Sequence, residues 1–386
     1  MSEQNAHHSF NDRLARVLEK RKEKDQLRRL QVLEGIDFCS NDYLGFARSE
    51  TLKHKWKEAM AASDDRLGST GSRSISGHCE QAARLEEELA HFHGTESGLI
   101  FNSGYDANVG LFSSLPVRGD HLVTDELIHA SIIDGCRLSY ATRHRFNHND
   151  VNDLEQVLQS IQKNRVPGAQ VFVVVESIYS MDGDQAPLTD ILSCCDKYQT
   201  LVIVDEAHAT GIMGPQGRGL VSAEGLEDRV WARVHTFGKA LGCHGAIVVG
   251  PKLLKEYLLN HARSFIFTTA LPPHALTGIQ LAYGALHEPE FSYTPLNKLI
   301  QHFKQTIQAP EGCWLLPSDS PIQSLIIPGS QRAARAGTAL LKAGFAVKAI
   351  QHPSVAEGKE RLRISLHLHN TTTEVDQLAA ALHQFS

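Results

Sequence analysis

Apolar positions along this chain follow two alternating rhythms. Short apolar runs occur at 98–101, 121–124, 171–175, 201–204 and 246–249. Between them, at about 105–115, 130–139, 151–162 and 188–198, apolar residues recur at helical spacing. Strands such as Val171-Phe172-Val173-Val174-Val175, with no polar face, belong in a parallel sheet covered by helices on both sides. Repeated βα units therefore predict a large α/β domain with its chemistry at the carboxyl ends of the strands. Upstream, Leu14, Val17, Leu18, Leu27 and Leu30 among many charges predict an amphipathic surface helix over 11–30, ended by Gly35. Ile36 to Ser40 reads as a short strand, and the Gly/Ser-rich stretch 67–77 precedes a helix over 78–93. After Pro272-Pro273 a helix runs to Leu286. A smaller α+β unit follows: helix 295–308, strand 322–327, helix 331–343, strands 345–350 and 361–366, helix 373–385. The expected division is an N-terminal arm (1–48), a large α/β domain (49–288) and a small α+β domain (289–386).

Composition narrows the function classes. With 42% hydrophobic and 21% charged residues, the chain is neither a disordered nor a fibrous sequence. Lys plus Arg number 38 against 44 Asp plus Glu, a net charge of −6, so no general attraction to nucleic acid or to an anionic membrane is expected. The seven cysteines are scattered and never spaced C-x-x-C, which reads as small buried hydrophobes rather than a disulfide or zinc framework. The N-terminus lacks a signal-peptide apolar core, and no run approaches the roughly 18 apolar residues of a membrane span. A cytoplasmic protein is expected. The 21 histidines invite a metal reading. An i, i+2 pair converges on one ion only along a strand, which His367 and His369 could satisfy and His91 and His93 could not. With no carboxylate or third histidine evidently associated, no metal site is expected.

Four segments carry candidate chemistry. Asp205 emerges from the buried run 201–204, and His208 follows three residues later. A carboxylate there is either poised in the sheet's ligand crevice or caps the next turn. Lys239 stands between Gly238 and Gly242, with Thr236 three residues before it. It is either a turn lysine or an amine able to condense with a carbonyl. Phe101-Asn102-Ser103-Gly104-Tyr105 runs from strand to helix start, where Gly104 lets amides approach an anion. Glu176 to Asp184 places hydroxyls and carboxylates directly after another buried strand. Together these match pyridoxal phosphate, which needs a lysine, a carboxylate for the ring nitrogen, donors to the ring hydroxyl and a phosphate cradle.

The ordered set SNDYLG (40–45), GSRSISG (71–77), FNSGYDAN (101–108), IHAS (128–131), ESIYSMDGD (176–184), DEAHATG (205–211), GRG (217–219), TFGKALG (236–242), FTTALPP (267–273) and RLRISL (361–366) resembles the α-oxoamine synthases among the fold-type I pyridoxal-phosphate enzymes. These condense an amino acid with an acyl thioester and lose carbon dioxide. The resemblance implies an aminotransferase-like large domain built on a mostly parallel seven-stranded sheet, with pyridoxal 5'-phosphate as cofactor. It implies that Lys239 carries the cofactor and transfers protons, Asp205 pairs with the pyridine nitrogen, Ser180 and His208 bond the ring hydroxyl, and His129 stacks on the ring. Gly104, Tyr105 and Thr236 would hold the phosphate. In a homodimer with the site at the interface, Thr268 and Thr269 would reach the neighbouring chain's phosphate. Arg28, Asn41, Ser354 and Arg363, with His129, would bind substrate, Arg363 taking the amino-acid carboxylate. Asp184-Gln185-Ala186-Pro187-Leu188 after SMDG, and Ala209-Thr210-Gly211 after DEAH, are most similar to the biotin-synthesis branch, which joins L-alanine to a pimeloyl thioester. The glycine C-acetyltransferase, 5-aminolevulinate synthase and serine palmitoyltransferase types are the alternatives. Only eleven residues separate Arg28 from Ser40, so the hairpin usual there is expected to be cut back.

Overall fold

Buried runs with no polar face do build a sheet in the computed structural model, which describes residues 3–24, 26–28, 30–63 and 66–383, and side chains from residue 9 onward. The chain divides into two units: Met1–Ser40 with Met181–Gly183 and Pro295–Ser386, and Asn41–Ser180 with Asp184–Thr294.

The larger unit holds the seven-stranded sheet, in the order Ser97–Phe101, Ala246–Gly250, Ala232–Thr236, Leu201–Asp205, Val171–Glu176, His121–Asp125, Thr142–Phe146. Ala246–Gly250 runs antiparallel to both its neighbours, and the other pairings are parallel. All six residues of Val171–Glu176 are buried, as a central strand covered on both faces requires. One face packs Phe172, Val174, Ile203 and Val234 against Leu111 and Phe112 of the helix Gly104–Ser114 and Ile132 of the helix Ala130–Leu138. This is the fold-type I, aminotransferase-like arrangement that the motifs implied.

The smaller unit carries a four-stranded antiparallel sheet, Lys348–Ile350, Arg361–Ser365, Ile322–Ile326 and Trp314–Leu315. A second, parallel pair joins Ile36–Asp37 to Phe345–Ala346, so the N-terminal segment is stitched to the C-terminal one.

Four differences from the sequence pattern have physical causes. The helix expected over 11–30 is Glu3–Glu23, and Leu27 and Leu30 lie in irregular chain beyond it. The run 345–350 is split at Val347, its halves pairing with different strands. Strand Thr142–Phe146 gave no apolar signal because it is the sheet edge, where Arg143 and Arg145 are exposed and discourage further pairing. The helices Glu50–Ala61 and Lys252–His261 are polar-rich and were not anticipated.

Candidate active site

Asp205, Glu176 and Thr236 stand at the carboxyl ends of three adjacent parallel strands. Asp205 and Glu176 are register partners, so two carboxylates share one buried stretch of sheet edge. Asp205 is 6% exposed, and Asn108 Nδ2, from the helix Gly104–Ser114, donates to its Oδ2 at 2.8 Å. The same Nδ2 lies 3.0 Å from Ser131 Oγ, which in turn lies 2.7 Å from His129 Nδ1. His129 caps the helix Ala130–Leu138, and its backbone N–H donates to the Glu176 carboxylate. A chain of side chains thus connects the strand-end carboxylates to the His129 ring.

The electrostatics of this group are mutual. Burial pushes the His129 imidazole down, with Asp205 pulling it up and Lys239 reinforcing the downward push, so the ring favours its neutral form. Burial raises the Glu176 carboxyl to about 8, and the Asp205 charge adds to that. Lys239 and the His129 N–H oppose it. Lys239 is half-buried in the turn after strand Ala232–Thr236 and is felt by both groups. His208 is buried, its Nδ1 2.8 Å from Tyr43 Oη, and Tyr43 Oη donates to Asn41 Oδ1 at 3.2 Å. Ser180 is also buried, in the loop that leaves strand Val171–Glu176.

The helix start at Gly104 forms a bare cradle. Ser103 caps the helix, its Oγ accepting from Asp106 N–H and its carbonyl from Ala107 N–H, both at 3.0 Å, so the Gly104 and Tyr105 amides are the ones outside the cap. A β-carbon on Gly104 would meet Thr236 Oγ1 at 3.5 Å, ordinary contact distance, so the Thr236 hydroxyl stands directly across from the helix start. The Tyr105 side chain turns away to donate to Asp134 Oδ2 at 2.6 Å, leaving its backbone for the cradle. Asn102 Nδ2 holds the next segment, donating to Thr268 Oγ1 at 3.0 Å and to the Thr269 carbonyl at 2.7 Å.

Arg28, Ser354 and Arg363 belong to the smaller unit. Arg28 Nη2 lies 3.4 Å from Ser354 Oγ, and both line a cavity of about 600 Å³ with Leu27, Leu341, Val347 and Ile350. Arg363 is buried on strand Arg361–Ser365 and donates to Ser365 Oγ at 3.0 Å. The His367–His369 pair does have a carboxylate beside it, contrary to the sequence expectation: ligand atoms of Asp37, His367 and His369 lie within 4.8 Å of one another. The two rings stack at 4.6 Å, and both nitrogens of His367 already engage Asn370 and Ser40. In the larger unit, His93 is buried and stacks on His235 at 3.6 Å. Among the described residues none of the seven cysteines is in a disulfide, and no helix is long and apolar enough to cross a membrane.

Sequence reasoning did not single out Asn108, Ser131 or Tyr43 as site residues, and it noted Glu176 only as one carboxylate of its loop. Asn108 is polar on an otherwise apolar helix face, one turn after Gly104, and that was the available signal. The residues present fit pyridoxal phosphate. A buried carboxylate is held by a neutral amide, a lysine stands nearby, and the side-chain-free cradle lies beside a hydroxyl.

This fold and strand-end constellation define a fold-type I enzyme of the aminotransferase class I and II family, whose profile matches residues 34–382. Within that class the chain belongs to the 8-amino-7-oxononanoate synthase family, an acyltransferase-type enzyme family. The 8-amino-7-oxononanoate synthase of Emericella nidulans is 41% identical over 388 residues, covering 95% of this chain and 93% of its own. A serine palmitoyltransferase from S. paucimobilis, solved with a bound PLP–myriocin aldimine, superposes with a TM-score of 0.84 at 28% identity, covering 98% of this chain and 97% of its own. The 8-amino-7-oxononanoate synthase of Francisella tularensis gives 0.72 at 28% identity, covering 90% and 96%.

Proposed function

We propose that the chain binds pyridoxal 5'-phosphate and joins L-alanine to a pimeloyl thioester, on CoA or a carrier protein. The products are 8-amino-7-oxononanoate for biotin synthesis, carbon dioxide and free thiol. The observation that carries this reading is Asp205, a buried carboxylate at a strand end whose side-chain donor is the neutral Asn108 amide. When bound, pyridoxal phosphate supplies an electron sink for the carbanion at the amino acid's α-carbon.

The protein's own groups do the rest. Asp205 keeps the proton on the ring nitrogen. Gly104 and Tyr105 amides with the Thr236 hydroxyl hold the phosphate, and Ser180 and His208 bond the ring hydroxyl, with Tyr43 fixing the His208 ring. His129, favoured in its neutral form, stacks on the ring face without adding charge. Lys239 Nζ anchors the cofactor, removes the α-proton of alanine, and returns a proton to that carbon once carbon dioxide has left. Arg363 takes the alanine carboxylate, and Arg28, Asn41 and Ser354 orient the substrates. Leu67, Ile75 and Phe267 are 92%, 86% and 71% exposed in or near the motifs at 71–77 and 267–273, which supports a homodimer in which Thr268 and Thr269 reach the other chain's phosphate.

The higher TM-score of a serine palmitoyltransferase favours a second reading, serine with a long acyl thioester. Purified protein offered alanine, glycine and serine against acetyl-, succinyl-, palmitoyl- and pimeloyl-thioesters separates the two. Alanine with the pimeloyl donor is expected to turn over fastest. Fastest turnover of serine with palmitoyl-CoA, or of glycine with a short acyl-CoA, overturns the assignment.

A further inference from the structure

His148 lies outside the constellation above, yet it ties together the ends of two strands' loops. Its Nδ1 lies 3.0 and 3.1 Å from the two oxygens of Asp125, the last residue of strand His121–Asp125 and itself fully buried. Its Nε2 lies 2.7 Å from Asp184 Oδ2. Asn149 repeats the bridge, its backbone N–H donating to Asp125 Oδ2 at 2.9 Å and its Nδ2 to Asp184 Oδ2 at 2.8 Å, and it takes a left-handed backbone (φ 53°) to do so. Asp184 is also the closing residue of the turn that carries Ser180, because Tyr179 N–H donates to the Asp184 carbonyl at 3.0 Å and Ile178 pairs with Gln185. The Tyr179 ring meets the His148 ring edge-on at 4.4 Å. One imidazole therefore grips the residue before Ser180 and the residue that closes its turn. Two carboxylates brought this close need a donor between them, and a side chain that donates from both ends of a flat ring supplies it.

We propose that His148, bridging Asp125 and Asp184, is a positioning residue that sets Ser180 against the cofactor ring. The inference rests on the reading that Ser180 bonds the ring hydroxyl. A residue needed only for folding would lower thermal stability and leave the bound cofactor's spectrum alone. A positioning residue acts on the chromophore, and acts through Ser180.

The test is a double-mutant cycle of His148→Gln and Ser180→Ala. The readouts are the absorption maximum of the holoenzyme and the Kd for pyridoxal phosphate, measured by titrating resolved protein. Each single variant is expected to shift the absorption band and to weaken binding by ~10-fold, the loss typical of one hydrogen bond to a charged or polar partner. The double variant is expected to match Ser180→Ala alone, because the grip has nothing left to position. If the two losses multiply, or if His148→Gln leaves band and Kd unchanged while Ser180→Ala moves them, the positioning role is wrong. If Ser180→Ala itself moves neither, the ring-hydroxyl reading fails and the proposal falls with it. Should His148→Gln fail to fold, Asp184→Asn runs in the same cycle with the same expected outcomes, since it weakens the grip while keeping the side-chain shape.

Discussion

Asn108 and Asp205 are joined by a buried hydrogen bond of 2.8 Å between a helix and the end of a strand. The amide is a neutral donor that orients the carboxylate, and in the proposed reading that carboxylate faces the ring nitrogen. Removing the donor leaves a buried carboxylate short of a partner, which costs about 1–3 kcal/mol. Asn108→Ala is expected to lower the melting temperature and to weaken pyridoxal phosphate binding at the same time. Melting curves with and without cofactor check this, and unchanged cofactor affinity would remove Asn108 from the site.

Gly219 belongs to a motif whose purpose only the fold reveals. Its φ is +114°, and a β-carbon there would sit 2.7 Å from the Glu206 carboxyl group, which is fully buried and accepts from the amides of Leu220 and Val221 at 2.9 and 2.8 Å. Glu206 follows Asp205 directly, so displacing it disturbs the loop that carries His208. Gly219→Ala is expected to destabilise the protein by about 1–3 kcal/mol through backbone strain, and by more if Glu206 is driven from its amides. Denaturant unfolding measures the loss, and an unaltered midpoint would contradict this account of the Gly219 position.

The sheet was legible because its central strands are apolar on both faces, a pattern that Val171–Glu176 and Leu201–Asp205 display without ambiguity. The ends of those strands were legible for the same reason: an acid after four or five apolar residues marks where the sheet meets its ligand crevice. Strand Thr142–Phe146 was not, since an edge strand answers to solvent and to a single neighbour. Nor was the break at Val347, which depends on two distant partners competing for one run. In the candidate site, local sequence singled out Lys239 and Asp205 but left a turn lysine and a capping acid open, and only the ordered motifs joined them. Asn108, Tyr43 and His148 were not singled out, because each acts through a partner 97, 165 or 36 positions away. Glycine motifs such as GRG could be matched but not explained until Glu206 appeared against Gly219.

His148 gives stability a pH dependence of known sign. Burial alone would push its imidazole down, but the bonds to Asp125 and Asp184 and their charges outweigh that and hold it at about 10. Tyr179 packs edge-on and adds no cation. The folded value exceeds the usual one near 6.5, so the contribution is complete below pH 6.5 and is lost as pH rises towards 10. Wild-type protein is expected to lose melting temperature between pH 7 and 10, and His148→Gln to lose distinctly less over the same interval. Equal slopes in the two proteins would show that the bridge holds no extra proton.

Glu176 works in a lower and separable pH window. Its carboxyl is raised from 4.5 to about 8, first by burial and then by the neighbouring Asp205 charge, against the pull of Lys239 and the His129 N–H. The folded state thus holds the proton more tightly than the unfolded chain does. Stability from this group is full below pH 4.5 and declines as pH climbs through 8. Glutamine copies the protonated acid in size and in accepting the His129 N–H, but it has no proton to lose. Glu176→Gln is therefore expected to match wild type near pH 5 and to exceed it in melting temperature near pH 9. Replacement by alanine tests the other half, because it leaves the His129 N–H without its acceptor at every pH. That variant is expected to be destabilised throughout, by about 1–3 kcal/mol. Melting curves of the three proteins from pH 5 to 9 decide the matter. A Glu176→Gln protein that parallels wild type across the whole range would mean that Glu176 is already ionised at pH 5 and that Asp205 does not share its proton economy.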